Sequence, residues 1–345
     1  MMNSAIRLAT CFLCFSLSQV LDAAAQDVTE LPRSACPSSQ FIQSAYQSHF
    51  APRAKLFSLR TVALTSAVAM MCSTPNVESL QHARSAWTEA MLAWESVSAV
   101  AVGPLLERHS LANIDFWPTR PNMIEIAMHE SISDIATLRR VGVAARGLPA
   151  LEWLLWAGGS SPPALGNAQA CAYALLLTRD VAEEGQAVEV GFAQRASAPA
   201  DQDSGPQLAE LVNQSIGAVE GLRRKRLFNP IATRNPRTFA RSVSDQAQPA
   251  WNAHWESILD LLVGKDAGET RTVEALLREC GLAAAAARVR RAAERVTAAL
   301  QPATVGKPES IQHAAEALVN LRRTLEQDVA LPLRIPVSFS DFDGD

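Results

Sequence analysis

The sequence lacks the short glycine-containing motifs of common enzyme folds. It contains no G-x-S-x-G nucleophile motif, no P-loop and no dinucleotide-binding pattern, and few segments alternate apolar and polar residues as strands do. An α/β hydrolase or a nucleotide-binding α/β fold is therefore excluded. Excess basic charge is lacking too, since 31 Lys and Arg residues stand against 35 Asp and Glu residues. The basic run at 223–226 is interpreted as the last turn of a helix, so no nucleic-acid partner is expected.

Long apolar runs are also missing, except near the start of the chain. Residues 8–21 are almost wholly apolar, follow a basic residue and lead to small residues at 23–25, which is typical of a cleavable signal peptide. We predict that residues 1–25 are removed before Gln26. The mature protein is then expected in the periplasm, without a transmembrane segment. A lipid anchor is not expected, because Cys11 lies at the start of the apolar run rather than after it.

Cysteine is scarce, and two of the six cysteines belong to the predicted signal peptide. The four that remain are Cys36, Cys72, Cys171 and Cys280. An even number of cysteines in an exported protein favours disulfide bonds. Cys36 and Cys72 lie at opposite ends of the first helical stretch, and we predict that they pair. Four buried free thiols are the alternative.

Helical periodicity dominates what the chain does contain. Apolar residues recur at the spacing of one helix face, and Pro-, Gly- or Ser-rich connectors separate the helical segments, as in helical bundles. The sequence predicts an all-α protein. The predicted helices span 38–50, 53–72, 76–100, 121–141, 148–157, 167–197, 206–228, 235–263, 269–300 with a break at Gly281, and 308–329.

Two heavier breaks divide the helical pattern, at 101–121 and at 198–206. The second break consists of small and polar residues, and we place the domain boundary there. The sequence thus predicts an N-terminal bundle over 26–200 and a C-terminal bundle over 205–345. Two similar tryptophan-containing segments, SAWTEAMLAWESV and PAWNAHWESI, suggest that the two halves arose by duplication.

The motif of a zinc peptidase is incomplete. In the segment HESIS at 129–133, a serine occupies the position of the second histidine that H-E-x-x-H requires. Glu125 and His129 are candidate metal ligands, because they stand four residues apart on one predicted helix; a solvated surface pair is the alternative. Most tryptophans fall at helical spacing, which predicts that they pack in the core. Trp117, however, precedes Pro118 in an irregular connector and is expected to line a cleft or clamp that connector.

Four separated segments resemble the imelysin-like family of exported bacterial proteins: AWTEAMLAWESVSAVAVGPLLERHSLANIDFWPTRP at 86–121, GLPALEWLLW at 147–156, RTFARSVSD at 237–245 and IPVSFSDFDGD at 335–345. The resemblance implies two packed helical bundles with a cleft between them and a setting in bacterial iron acquisition. The family is also labelled a metallopeptidase family, with G-x-H-x-x-E as its proposed metal motif.

This chain departs from that motif at one position. The motif aligns with residues 147–152, where Pro149 replaces the histidine and Glu152 is retained. Proline has no donor atom, and a lone carboxylate holds a divalent ion poorly. Glu152 either supports the start of its helix electrostatically or belongs to a polar functional cluster. The resemblance implies that the other members of such a cluster are Arg108, Asp115, Trp117, Arg241 and Ser242.

The acidic end of the chain resembles the start of a calcium loop but lacks its end. Asp341, Asp343 and Asp345 alternate as calcium ligands do, but no closing bidentate carboxylate follows them. We expect the tail to dock against a bundle near the cluster through Phe339 and Phe342. An acidic disordered tail is the alternative.

The sequence and the resemblance together predict a non-catalytic binding or accessory component of iron uptake. Its expected partners are iron-uptake components of the cell envelope, and iron or another divalent cation is the candidate cofactor. One alternative is a metallopeptidase that takes its second ligand from His109 or His129. Another is a haem or partner-protein docking module that uses Trp117 and the tail.

Overall fold

The computed structural model describes residues 36–130, 132–157, 161–200, 204–264 and 272–337, and every regular element in these ranges is helical, as predicted. The predicted signal peptide and the acidic tail with Asp343 lie outside them. The longer helices are α1 (Ser38–Ser73), α2 (Val77–Ser98), α3 (Pro121–His129), α4 (Gly147–Trp156), α5 (Ala168–Ser197), α6 (Gly205–Gly221), α7 (Ala247–Leu262), α8 (Val273–Glu279), α9 (Ala283–Leu300) and α10 (Pro308–Leu325).

Helix α1 is continuous through Pro52, where the sequence predicts a break. A π-helical turn over Tyr46–Phe50 precedes the proline. The wider turn shifts the backbone hydrogen-bond register, so the missing N–H of Pro52 is tolerated without ending the helix. A second π-helical segment, Leu222–Phe228, extends α6 and carries the basic run that was interpreted as a helix end.

Two other predicted helices differ in length from the observed ones. Helix α3 ends at His129, and Asp134 caps a separate short helix by accepting a hydrogen bond from Thr137 N. Helix α7 begins only at Ala247, because residues 239–246 form turns. The predicted break at Gly281 is present between α8 and α9, where this glycine has a positive φ of 78°.

The core is formed by packing between helices that are distant in sequence. Helix α1 packs against α2 and α5, α9 packs against α10, and α2 packs against α7. Trp87 and Trp94 of α2 and Trp251 of α7 are buried in this core, as their spacing predicts. The α2–α7 contact joins the two predicted halves, and the domain boundary at 198–206 stays a prediction.

Among the described residues, α1 is the one helix whose length and composition would allow it to cross a membrane. Its inner face is made of buried residues such as Phe57, Leu64 and Val68. Its outer face exposes Leu59 and Val62 by more than half of their surface. The sequence alone does not predict a membrane span over this segment.

The predicted Cys36–Cys72 disulfide is wrong. The cysteines pair instead as Cys36–Cys280 and Cys72–Cys171, with Cα atoms 4.8 and 5.7 Å apart. The reason is the unbroken α1 helix, since a helix of its length spans roughly 50 Å and a disulfide requires Cα atoms within about 7 Å. The helix therefore holds Cys36 and Cys72 apart. Cys36 reaches Cys280, directly after α8, and Cys72 reaches Cys171 on α5.

Candidate functional site

Helix α4 places Glu152 in the protein interior. Arg146 precedes the helix, and Gly147 begins it with a φ of 72°. A Cβ at position 147 would lie 2.2 Å from the Ile114 carbonyl oxygen, so only glycine allows this close approach. Pro149 is buried in the first turn, and Glu152 is only 2% exposed. The burial that its apolar neighbours predict is therefore present.

Ser244 holds the Glu152 carboxylate. Glu152 Oε1 accepts hydrogen bonds from Ser244 N at 3.0 Å and from Ser244 Oγ at 2.7 Å. Burial raises the pKa of Glu152, and the neighbouring Arg241 and the two Ser244 hydrogen bonds only partly offset this rise. Glu152 thus fixes residues 239–246 against α4.

Glu95 of α2 lies at the centre of a buried ionic network. It is fully buried and pairs with Arg226 Nη1 at 2.7 Å and with Arg241 Nη2 at 3.4 Å. His254 Nδ1 donates to its other oxygen at 3.3 Å. Burial disfavours the charged form, but Arg226, His254 and Arg241 outweigh that effect and lower the pKa of Glu95 to about 2.

Arg241 connects Glu95 to Asp115. Its Nη2 lies 2.7 Å from Asp115 Oδ1, while Trp94 Nε1 donates to Asp115 Oδ2 at 3.2 Å. Arg241 is 1% exposed, has a left-handed φ of 64°, and places its guanidinium 5.8 Å from the centroid of the Trp87 ring. Its Nε and Nη1 have no hydrogen-bond partner within the described ranges. The guanidinium lies over the Trp87 ring, in the position of a cation–π contact.

We refer to these side chains as the Glu95 cluster, which consists of Glu95, Asp115, Glu152, Arg226, Arg241 and His254. Burial would lower the pKa of Arg241, but Asp115, Glu95 and Glu152 reverse the effect and raise it. The guanidinium therefore stays charged. The cluster is a set of opposite charges that joins α2, α4, α7, the Leu222–Phe228 extension of α6 and the turns at 239–246.

The cluster does not fit a divalent cation. The carboxylate of Glu95 is paired with two arginines, and that of Asp115 with Arg241 and the Trp94 indole N–H. The carboxylate of Glu152 accepts its hydrogen bonds from Ser244. A cation would have to displace guanidinium groups that already neutralise these carboxylates. Across the described part of the chain, no group of three or more His, Cys, Asp or Glu residues is arranged to hold a metal ion.

Three of the expected cluster residues come together, namely Glu152, Asp115 and Arg241. Ser242 lies elsewhere, and its Oγ donates to the Arg237 carbonyl oxygen; Ser244 takes the place next to Glu152. Arg108 pairs with Glu184, in a second group of charges.

The other candidates occupy less buried positions. Trp117 is half-buried and is joined to Pro118 by a cis peptide bond. Glu125 and His129 share the exposed surface of α3, as their spacing predicts, and His109 is exposed with a left-handed φ of 53°. Asp343 lies outside the described residues.

Four residues of the site are not expected from the sequence: Glu95, Arg226, His254 and Ser244. Glu95 had a usable signal, because it is a single carboxylate on the face of α2 that also carries Trp87 and Met91. His254 carried no ligand spacing. Arg226 belongs to the basic run that was expected at the end of a helix. Nothing in the sequence relates it to Glu95, which lies 131 positions away.

An all-helical protein with a buried ionic cluster is the class that fold and site define. The Imelysin family model matches residues 52–327, and the chain belongs to this family. No curated protein matches the chain.

Solved structures share this fold, including two that are similar to most of this chain. An imelysin-like protein from Psychrobacter arcticum 273-4 is 18% identical, with a TM-score of 0.72 over 89% of this chain and 98% of that one. A "putative iron-regulated protein A precursor" from Parabacteroides distasonis ATCC 8503 is 14% identical, with a TM-score of 0.72 over 90% of this chain and 97% of that one.

Proposed function

We propose that this protein is an exported, non-catalytic component of bacterial iron uptake, acting in the periplasm as a binding or accessory protein. Membership of the Imelysin family and the name of the iron-regulated neighbour support the iron-related setting. One observation carries the non-catalytic part. Pro149 replaces the histidine of the motif, and the glutamate of the motif, Glu152, accepts hydrogen bonds from Ser244.

A metallopeptidase needs a carboxylate or imidazole set that holds a metal and leaves a base free to activate water. In this chain Glu152 accepts both of its hydrogen bonds from the backbone and hydroxyl of one serine. The neighbouring carboxylates neutralise Arg226 and Arg241. The same groups that a metal would require therefore link three helices and a turn segment.

A structural cluster of this kind suits a protein that presents its surface to partners. Iron-uptake components of the cell envelope are the partners we propose. The Glu95 cluster would then maintain the shape of that surface rather than contact a ligand.

Metal titration of the purified protein tests the non-catalytic part. Calorimetry with ferrous, ferric and zinc ions is compared for the wild type, Glu152→Gln and the surface control Glu89→Gln, whose carboxylate pairs with Arg60 on the protein surface. We expect the three proteins to behave alike and to show no chelator-sensitive cleavage of unfolded substrates. Metal-dependent cleavage that Glu152→Gln abolishes would reject the proposal.

Deletion of the gene in the native bacterium tests the iron-related part. We expect slower growth and lower cell iron under iron limitation, with both defects restored by the wild type and by Glu152→Gln. Equal growth and iron content of the deletion strain and the parent would argue against a role in iron uptake.

A further inference from the structure

A second group of buried charges surrounds an open cavity. The segment that carries Asp115 also lines this cavity of about 220 Å³, through Asn113 and Ile114. Its other lining residues are Arg139, Arg146, Asp180, Val181 and Glu184. We call it the Asp180 cavity. Nothing in the proposed function uses it.

Arg146 is the least satisfied group in its wall. The residue is 5% exposed, and its two terminal nitrogens donate to the Arg139 carbonyl oxygen and to Asn113 Oδ1, each at 3.2 Å. Its Nε has no hydrogen-bond partner among the residues that the structure describes. Asp180 Oδ2 lies 3.6 Å from this Nε, which is beyond hydrogen-bond distance. A buried donor without a hydrogen-bond partner thus lies within ion-pair distance of a carboxylate oxygen but does not hydrogen-bond to it.

The carboxylates of the wall are held in fixed positions. Asp180, which is 5% exposed, accepts a hydrogen bond from Arg139 Nε at 2.7 Å on its other oxygen. Glu184 accepts hydrogen bonds from Arg108 Nε at 3.0 Å, from Arg108 Nη2 at 2.7 Å and from the Ser110 hydroxyl at 2.6 Å. The wall is therefore preorganised, which lowers the entropic cost of ligand binding.

The charges around the cavity balance. Three guanidinium groups, those of Arg108, Arg139 and Arg146, are paired with the carboxylates of Asp180, Glu183 and Glu184. An ion of one sign would meet as much repulsion as attraction here. A molecule that carries both signs close together would meet a partner for each.

A solvent-open groove of about 500 Å³ offers a path to the cavity. Arg108 lines the groove and Glu184 lines the cavity, so their ion pair separates the two spaces. The Arg108 side chain is 42% exposed, so the ion pair borders solvent.

We propose that the Asp180 cavity binds a small zwitterion of the α-amino acid type. The ammonium group of the ligand donates to Asp180 Oδ2, and the ligand carboxylate accepts from Arg146 Nε. The two ligand charges are separated by one carbon atom, which matches the side-by-side position of the two protein atoms. The cavity volume admits the smaller members of the class.

Titration calorimetry of the full protein with four probes tests the proposal. Glycine and L-serine are compared with acetate and methylammonium, each of which carries only one of the two charges. We expect saturable binding of the two zwitterions and none of the single ions. Absence of binding by glycine and L-serine, or equal binding of acetate or methylammonium, overturns the proposal.

A pair of variants locates the site. Asp180→Asn is expected to weaken glycine binding by at least about tenfold, because it removes the charge that receives the ammonium group. The control is the surface variant Glu89→Gln, whose carboxylate pairs with Arg60 and does not line the cavity, and its affinity for glycine is expected to stay at the wild-type value. Equal loss in both variants, or none in Asp180→Asn, overturns the assignment. Circular dichroism establishes that each variant is folded; if Asp180→Asn is not, the four-probe comparison on the wild type decides.

Discussion

The Glu95 cluster and the Asp180 cavity are built from the same residue types but are satisfied to different degrees. In the cluster, arginine, serine or tryptophan donors reach every carboxylate, and Arg241, whose Nε and Nη1 have no hydrogen-bond partner in the described ranges, lies over the Trp87 ring. In the cavity, Arg146 Nε and Asp180 Oδ2 stop short of each other beside empty volume. Burial of charge alone therefore does not identify a binding site; an unsatisfied pair next to a cavity is the more informative feature.

Removal of Glu95 is expected to have the largest effect. Glu95→Gln would leave Arg226 and Arg241 without their shared carboxylate in a buried site, and we expect a loss of about 3–5 kcal/mol in the free energy of unfolding. Urea denaturation measures it. A loss below that of the cavity variant Glu184→Gln would contradict the contrast between the two regions.

The Cys72–Cys171 disulfide is expected to matter next. It joins α1 to α5, the helix that carries Asp180 and Glu184. Replacing both cysteines with serine should cost about 2–4 kcal/mol, because the unfolded chain loses a long cross-link. It should also weaken glycine binding. Thermal unfolding, with calorimetry for the ligand, gives both values, and unchanged stability would show that α5 is held by packing alone.

Glu152→Gln is expected to change the free energy of unfolding by a smaller amount, about 1–2 kcal/mol, because glutamine can still accept the Ser244 hydrogen bonds. Its pH dependence should be opposite in sign to that of Glu95. The pKa of Glu152 is raised on folding, so its unfavourable contribution grows as pH rises above about 4.5. The pKa of Glu95 falls to about 2, so its stabilisation is complete above about 4.5 and is lost as pH falls toward 2.

Urea denaturation across pH separates these two carboxylates. Glu95→Gln should flatten the loss of stability between pH 4.5 and 2. Glu152→Gln should leave that acid loss in place and lower the penalty above pH 4.5. The same pH profile for both variants would contradict the opposite shifts.

Glu184→Gln is expected to have the smallest effect, about 0.5–1 kcal/mol. Its partner Arg108 is 42% exposed, so water can replace the lost carboxylate. Chemical denaturation beside Glu95→Gln gives a direct comparison of the open and the closed region. A cost equal to that of Glu95→Gln would mean that the Arg108 pair is as buried as the cluster.

The helices could be predicted from the sequence because each is specified by its own local pattern. The break at Gly281 followed from one residue, and the burial of Glu152 followed from its apolar neighbours. The disulfides could not be predicted, because they depended on whether α1 continues through Pro52. That continuity rests on a π-helical turn with no clear local signal.

The candidate site was only half predictable for a similar reason. Asp115 and Arg241 were expected from the family resemblance, and the structure pairs them at 2.7 Å. Glu95, Arg226 and His254 come from three distant parts of the chain and meet through the packing of α2 and of the Leu222–Phe228 segment against α7. Ser244 was missed because its neighbour Ser242 fitted the same segment equally well.

The most direct test of the central claim is a crystal structure of the protein soaked with zinc and ferrous ions, examined by anomalous scattering. The account predicts that Glu152 keeps its two hydrogen bonds from Ser244 and that no ion occupies the Glu95 cluster. A well-occupied metal ion bound to the Glu152 carboxylate, with an imidazole supplied by another helix, would contradict it.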